Sequence, residues 1–182
     1  MYKSQNIILI GFKGANKTEV AKRLAEMFSY RFIDIDDMIE NLYQRETGRK
    51  LKYRDISKHH GEAYFQQMER KALERIKGMT HIVLGTAGNT PFDPNARRIL
   101  RRMGQVIFMR AGPEIIFDKM TEKGVPYFLD ENDLEGSFAR FYAKGINHFQ
   151  NTADLIVWVK DLTTEQMAEK INNEIEEVFR TS

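Results

Sequence analysis

The chain has 182 residues, of which 42% are hydrophobic and 30% are charged, as in an ordinary globular protein of one domain. Because it contains no cysteine, we exclude a disulfide framework, a cysteine-ligated zinc site and a cysteine nucleophile. Its 28 lysines and arginines nearly balance its 26 aspartates and glutamates, and this even charge does not indicate a nucleic-acid partner.

Short apolar runs alternate with amphipathic helical patterns from the start of the chain to its end. The apolar runs predict strands at 6–10, 32–34, 81–84, 105–109 and 154–159. Helical periodicity predicts helices at 17–28, 37–45, 62–76, 94–103, 113–123, 135–150 and 164–179, the sixth of them interrupted at Gly136 and Gly145. This alternation is typical of an α/β fold with three layers, in which a five-stranded parallel sheet has helices on both faces.

One stretch, residues 122–136, lacks this regular pattern. It combines Gly124, Pro126 and Gly136 with the acidic run 130–133, and such a concentration of helix breakers is typical of a loop. We therefore predict a small mobile lid, inserted into a single domain that spans residues 1–182.

Nothing in the sequence predicts contact with a membrane. No apolar run approaches the roughly 18 residues that a membrane span needs, and residues 1–6 show no signal-peptide pattern. We therefore expect a cytoplasmic protein with no membrane partner, and a monomer by default.

The turn after the first strand carries a phosphate-binding pattern. Residues 11–18 read GFKGANKT against the pattern G-x-x-x-x-G-K-[ST], and only the second glycine is missing, at Asn16. In such a loop, backbone N–H groups surround phosphate oxygens, the lysine reaches the β- and γ-phosphates of ATP, and the threonine binds Mg²⁺. The predicted nucleotide contacts are Gly11, Gly14, Ala15, Asn16, Lys17 and Thr18. The alternative is a tight turn between strand and helix with a surface lysine.

The asparagine at position 16 leaves two alternatives open. Asparagine is one of the few residues that tolerate a positive φ, so the loop keeps its path if the glycine serves that conformation. If the glycine instead keeps space open for a phosphate, the Asn16 side chain obstructs the loop.

Two carboxylates, Asp34 and Asp36, follow the second strand. Side chains at i and i+2 point to one side, at the carboxyl edge of the sheet where α/β proteins bind ligands. One could serve Mg²⁺ through water, and the other could accept a proton from a substrate hydroxyl. Alternatively, Asp36 or Asp37 caps the helix that follows, and both interpretations can hold together.

Taken in order, several motifs resemble the shikimate kinase family. They are GFKGANKT at 11–18, FIDID at 32–36, Gly61-Glu62 with Phe65 and Glu69, IVLGTAG at 82–88, Pro94 with Arg97 and Leu100, Pro126, and Ala153-Asp154. The resemblance covers nearly the whole chain. It implies a nucleoside-monophosphate-kinase-like P-loop fold with a lid, and transfer of the γ-phosphoryl group of ATP to a hydroxyl of shikimate with Mg²⁺.

The resemblance also assigns roles to the two carboxylates. It implies that Asp34, with Thr18, lies near the metal and that Asp36 contacts the reacting hydroxyl. Lys17 and Asp36 are therefore the predicted catalytic residues.

The chain departs from this family at positions that hold substrate. The family binds the shikimate carboxylate with two arginines, and the aligned residues here are Gln66 and Gly145. The lid arginine aligns with Val125, and the family's triple glycine aligns with Ala87-Gly88-Asn89. Arg70 lies one helical turn after Gln66 and could supply a replacement cation. The candidate acceptor contacts are Asp36, Gln66, Gly88 and Arg70.

Two functions remain open. The retained lysine, threonine and aspartates favour a small-molecule kinase that resembles shikimate kinase, with shikimate itself doubtful as the acceptor. The changes at Asn16 and Val125 favour a catalytically impaired relative that acts as a nucleotide-binding or regulatory module. A separate feature, the arginines of the helix at 94–103, predicts one basic helix face, which is either solvated or meets an acidic partner.

Overall fold

The computed structural model describes residues 6–122, 124–126 and 128–181, and within them the chain forms five strands and eight α-helices. The strands are β1 (Ile7–Ile10), β2 (Arg31–Asp34), β3 (Ile82–Gly85), β4 (Gln105–Arg110) and β5 (Leu155–Trp158). The helices are α1 (Lys17–Phe28), α2 (Ile35–Thr47), α3 (Tyr53–His60), α4 (Glu62–Ile76), α5 (Pro94–Met103), α6 (Pro113–Thr121), α7 (Leu134–Thr152) and α8 (Thr164–Thr181).

The five strands form one parallel sheet in the order β2-β3-β1-β4-β5, which confirms the predicted fold class. The central strand β1 pairs with β3 on one side and β4 on the other, and all four of its side chains are buried. A strand covered on both faces reads as a continuous apolar run, and this is why β1 is visible in the sequence. From β1 the chain goes to β2 and β3 on one side of β1, and from β3 it goes to β4 on the other side. The carboxyl end of β1 is therefore where a ligand crevice is expected.

Three segments at the opposite, amino edge of the sheet meet at one buried side chain, Asn6. Its Nδ2 donates to the carbonyl oxygens of Met79 (2.7 Å) and Met103 (2.9 Å), and its Oδ1 accepts from the N–H of Ile82 (3.1 Å). The side chain therefore satisfies backbone groups at the ends of two helix-to-strand connections, which lead into β3 and β4.

Three features of the chain differ from the sequence-based expectation. Helix α3 was not predicted, because Ile56 is its one fully buried side chain and the segment shows no apolar period. Helix α7 runs without a break through Gly136 and Gly145, so the predicted interruption is wrong. Helix α2 begins at Ile35 rather than at residue 37, because Asp34 caps it.

The predicted lid at 122–136 is only partly a loop. Its last residues, from Leu134 onward, belong to α7, and Leu129 is buried. Helix α6 ends at Thr121, and Lys123 and Tyr127 lie outside the described residues. Within the described part of the chain, the helices are all too short or too polar to cross a bilayer.

We expect Asn6→Ala to lower the free energy of unfolding by about 2–4 kcal/mol, because it leaves two carbonyls and one N–H without their partner. Urea denaturation measures this change. Asn41→Ala, at an exposed position of α2, is the matched control and should stay within about 0.5 kcal/mol of the wild type. Equal stability of the two variants would contradict the role given to Asn6.

Candidate functional site

The turn from β1 to α1 wraps closely against its surroundings. Gly11 and Gly14 both have positive φ, of 153° and 96°. A Cβ on Gly11 would lie 2.8 Å from the carbonyl oxygen of Met109, and one on Gly14 would lie 2.6 Å from the Cβ of Lys119. Both glycines are therefore required by space as well as by conformation. Ala15 is buried within the same turn.

Asn16 adopts the left-handed conformation that the missing glycine would adopt. Its φ is 61° and its ψ is 27°, and it is the residue that precedes the first turn of α1. Its Nδ2 donates to Thr164 Oγ1 at 2.9 Å, so the side chain is bonded to the start of α8. Of the two alternatives left by the sequence, the loop therefore keeps the glycine backbone conformation, and the side chain finds a partner on a neighbouring helix.

Lys17 lies under the loop and is almost fully buried, with 8% of its surface exposed. Its Nζ donates to the carbonyl oxygens of Gly11 (2.8 Å) and Phe12 (2.9 Å). Burial lowers the pKa of Lys17 to about 8, against the charges of Asp36 and Asp34, which raise it. The ammonium group is therefore held at the loop and is mostly charged at neutral pH.

Thr18 and Asp34 form the pair that could hold Mg²⁺. Thr18 Oγ1 donates to Asp34 Oδ2 at 3.0 Å, and Asp34 Oδ1 accepts from the N–H of Asp36 at 2.9 Å. The cap of α2 is thus Asp34, not Asp36 or Asp37 as the alternative interpretation held. No group of three His, Asp or Glu side chains able to hold a metal occurs in the described ranges. One hydroxyl and one carboxylate fit Mg²⁺, which takes most of its ligands from phosphates and water.

Asp36 is the second acid at this edge, and it lies in the first turn of α2. Among the described residues nothing bonds to its buried Oδ1 atom. Burial raises the pKa of Asp36 to about 7, and the charge of Asp34 adds to this effect while that of Lys17 opposes it. Asp36 therefore combines an unsatisfied acceptor atom with a pKa suited to proton exchange at neutral pH.

Glu69 on α4 connects that helix to the loop after β3, a role that the sequence pattern alone did not reveal. It is 2% exposed, and burial raises its pKa to about 8. Thr90 Oγ1 lies 2.5 Å from Glu69 Oε1 and 3.0 Å from the carbonyl oxygen of Ala87. The Thr90 hydroxyl has one proton and can donate it to only one of these two oxygens. When Glu69 is protonated, it can donate to Thr90 Oγ1 while Thr90 donates to the carbonyl oxygen of Ala87, and both hydrogen bonds form. In the sequence, Glu69 belongs to one of the motifs that resemble the shikimate kinase family, and this resemblance is the signal that points to it.

The candidate acceptor contacts occupy different surroundings. A Cβ on Gly88 would lie 2.9 Å from the backbone nitrogen of Lys13. This glycine therefore lets the loop after β3 pack against residues 11–18, the phosphate loop. Gln66 Nε2 donates to Glu62 Oε1 at 3.2 Å. Arg70 donates to the buried carboxylate of Asp93 at 2.6 Å and is therefore already paired.

Gly145 meets the phosphate loop directly. A Cβ at this position in α7 would lie 2.4 Å from two carbon atoms of the Phe12 ring. That ring belongs to an aromatic cluster whose centroids lie 4.7–6.1 Å apart, formed by Phe12, Phe92, Phe141, Tyr142, His148 and Phe149. A side chain at Gly145 is therefore excluded unless Phe12 moves.

Comparison with known proteins gives one consistent result. The profile of a protein family described as shikimate kinase matches residues 13–176. A shikimate kinase of Persephonella marina is 37% identical over 115 residues, 63% of this chain and 66% of that protein. One of Thermoanaerobacter pseudethanolicus is 32% identical over 168 residues, 92% of this chain and 94% of that protein. The solved structure of a shikimate kinase from Acinetobacter baumannii in complex with shikimate is 25% identical, with a TM-score of 0.82 over 96% of this chain and 94% of that one.

The contact between Gly145 and Phe12 can be tested by adding one methyl group. At an exposed position in the interior of a helix, a Gly→Ala substitution raises the free energy of unfolding by about 1 kcal/mol. At Gly145 we expect a net loss of about 1–3 kcal/mol in the free energy of unfolding, because the Phe12 ring occupies the space. Gly78→Ala, where the added atom meets nothing within 4 Å, is the control. A Gly145→Ala protein that is more stable than the wild type would refute the contact.

Proposed function

The chain belongs to the shikimate kinase family, and we propose that it transfers the γ-phosphoryl group of ATP to a hydroxyl of a small molecule that carries no carboxylate. The observation that carries this proposal is the arrangement at the ends of β1 and β2. Lys17 and Thr18 begin α1, and Asp34 and Asp36 face them across the edge of the sheet.

The phosphate loop supports the donor half of the reaction. Its backbone N–H groups, at the amino end of α1, would bind the phosphates of ATP. Lys17 Nζ would exchange a bond to a loop carbonyl for a bond to a phosphate oxygen. Thr18 and Asp34 would hold Mg²⁺, which when bound neutralises part of the phosphate charge.

Asp36 supports the acceptor half. Its carboxylate, whose buried Oδ1 has no partner among the described residues, would turn toward the acceptor hydroxyl, accept a hydrogen bond from it and then take its proton. As that proton leaves, the acceptor oxygen forms its bond to the γ-phosphorus while the bond between the γ-phosphorus and the leaving oxygen of ADP breaks. A carboxylate with a pKa of about 7 is ionised in a large fraction of molecules at neutral pH, as this role requires.

The charges on the acceptor side argue against an acceptor with a carboxylate. Gln66 is neutral and bonded to Glu62, Gly145 has no side chain, and Arg70 is paired with Asp93. The charges of Asp36, Asp93 and Glu62 all raise the pKa of Glu69, so the potential there is negative. Two missing charge-assisted hydrogen bonds cost about 3–6 kcal/mol, or roughly 10²–10⁴-fold in affinity.

A second candidate function is nucleotide binding without efficient transfer. The specific observation in its favour is Val125, which stands where the family resemblance implies the lid arginine. Val125 is apolar and 37% exposed. A cation that stabilises the phosphoryl transition state can contribute roughly 10³–10⁵ in rate, and Val125 cannot supply it.

Calorimetric titration with ADP and Mg²⁺ tests the donor half. We expect Lys17→Ala to weaken ADP binding at least about tenfold, since one charge-assisted bond contributes about 1.5–3 kcal/mol. Asn16→Gly should change the affinity less than about threefold, because Asn16 already has the glycine conformation. Lys22→Ala, on the exposed side of α1, is the matched control. If Lys17→Ala binds ADP as well as the wild type does, the phosphate loop has been assigned wrongly.

A coupled assay with ATP across shikimate, quinate and uncharged polyols tests the acceptor half. For shikimate we expect a kcat/KM below the ordinary level of roughly 10⁴ M⁻¹s⁻¹. Gln66→Arg should strengthen shikimate binding about tenfold or more, because it restores one cation at a half-buried position.

Gln67→Arg, the same change at the exposed neighbouring residue, is the control and should have no effect. Ordinary turnover of shikimate by the wild type would overturn the proposed acceptor class. ADP binding without turnover of any acceptor would favour the second function.

A further inference from the structure

A groove of about 380 Å³ lies between α4 and α5, and its lining is strongly basic. Its cations are Arg70, Lys77, Arg98 and Arg102. Of the described residues that line it, Glu74 is the one acid, and Ile99 and Met103 provide apolar surface. The groove therefore combines an excess of three positive charges with a small apolar wall.

The groove runs away from the phosphate loop. Helices α4 and α5 each lead into a parallel strand, β3 and β4, so both helices end at the amino edge of the sheet. Lys77 and Met103 stand at those helix ends, whereas the phosphate loop lies at the carboxyl edge. The groove is thus a second concave surface, separate from the proposed site of phosphoryl transfer.

The arginines of α5 lack counter-charges. Within the ranges that the structure describes, Arg98 and Arg102 form no ion pair and no hydrogen bond, whereas Lys77 pairs with Glu74. They are four residues apart on one helix face, and like charges at that spacing destabilise a helix. The helix dipole favours Arg102 in the last turn but not Arg98 in the middle. A bound anion would relieve this repulsion.

Arg70 is fixed in place at the other end of the groove. Its guanidinium bonds to Asp93, which is 4% exposed and caps α5 through the N–H of Asn95. Because Asp93 offsets its charge, Arg70 is not among the cations that we expect to bind a ligand. The guanidinium groups of Arg98 and Arg102, in contrast, have no counter-charge among the described residues, and guanidinium groups match phosphate oxygens in geometry.

We propose that this groove is a ligand site for a small molecule with more than one phosphate group, bound chiefly by Arg98 and Arg102. The size of the groove is that of a small-molecule pocket rather than of an extended nucleic-acid surface. The half-buried Ile99 would contact the uncharged part of the ligand.

An NMR titration of ¹⁵N-labelled protein with inorganic tripolyphosphate tests the proposal. We expect saturable shifts of backbone amides at 70–77 and 95–103, independent of any shifts at the phosphate loop, residues 11–18. Arg98→Ala/Arg102→Ala should weaken binding at the groove at least about tenfold and leave the loop signals unchanged. Because the two regions report separately, failure at the groove is distinguishable from failure of the phosphate loop.

The matched control is Arg45→Ala/Arg49→Ala, which removes the same charge from two exposed residues, one in the last turn of α2 and one just after that helix. Equal weakening by both double variants would show only long-range attraction of an anion, and would overturn the proposal. A Kd at the groove weaker than about 1 mM would also overturn it. So would shifts at the groove with an acidic peptide but not with tripolyphosphate, because the surface would then serve a protein partner.

Discussion

The burial of Lys17 beneath the phosphate loop is the constraint on which the rest of the site depends. A buried ammonium group loses its hydration, and two loop carbonyls, those of Gly11 and Phe12, replace part of it. The charges of Asp34 and Asp36 compensate for part of what remains, although burial still lowers the pKa of Lys17 to about 8. The path of the loop, the lysine and the two acids therefore stabilise one another, and a change in one alters the electrostatic balance of all.

On the acceptor side of the same edge, the structure depends on aromatic packing and on a buried, protonated carboxyl group rather than on cations. Phe12 continues from the phosphate loop into an aromatic cluster that closes on Gly145. Glu69 lies buried beside Thr90, and its pKa of about 8 means that it is mostly neutral at neutral pH. An acceptor would thus meet aromatic surface, neutral hydrogen-bonding groups and the carboxylate of Asp36. This environment suits hydroxyl groups better than it suits an anion.

The sequence predicted the parallel sheet because its strands are short apolar runs and its helices have clear apolar faces, as in α1 and α4. It did not predict α3, where tertiary contacts of the one buried residue Ile56 stabilise a polar segment. Nor could it predict that Gly145 lies within α7 and leaves room for the Phe12 ring, since Phe12 is more than a hundred residues away in the chain. The phosphate loop was visible as a local motif. The pairing of Arg70 with Asp93 was not, because it depends on how α4 packs beside α5.

The hydrogen bond from Asn16 to Thr164 gives the departure from the usual phosphate-loop pattern a structural consequence. A glycine at position 16 needs no partner, whereas Asn16 connects the loop to the first residue of α8. Arg23, in the middle of α1, forms two hydrogen bonds with Glu165, so α1 and the loop before it are joined to the amino end of α8 at two points. Positions 16 and 164 are therefore coupled by contact: Asn16→Gly removes a hydrogen bond between the loop and α8, and a substitution of Thr164 that removes its hydroxyl leaves the Asn16 amide without this partner.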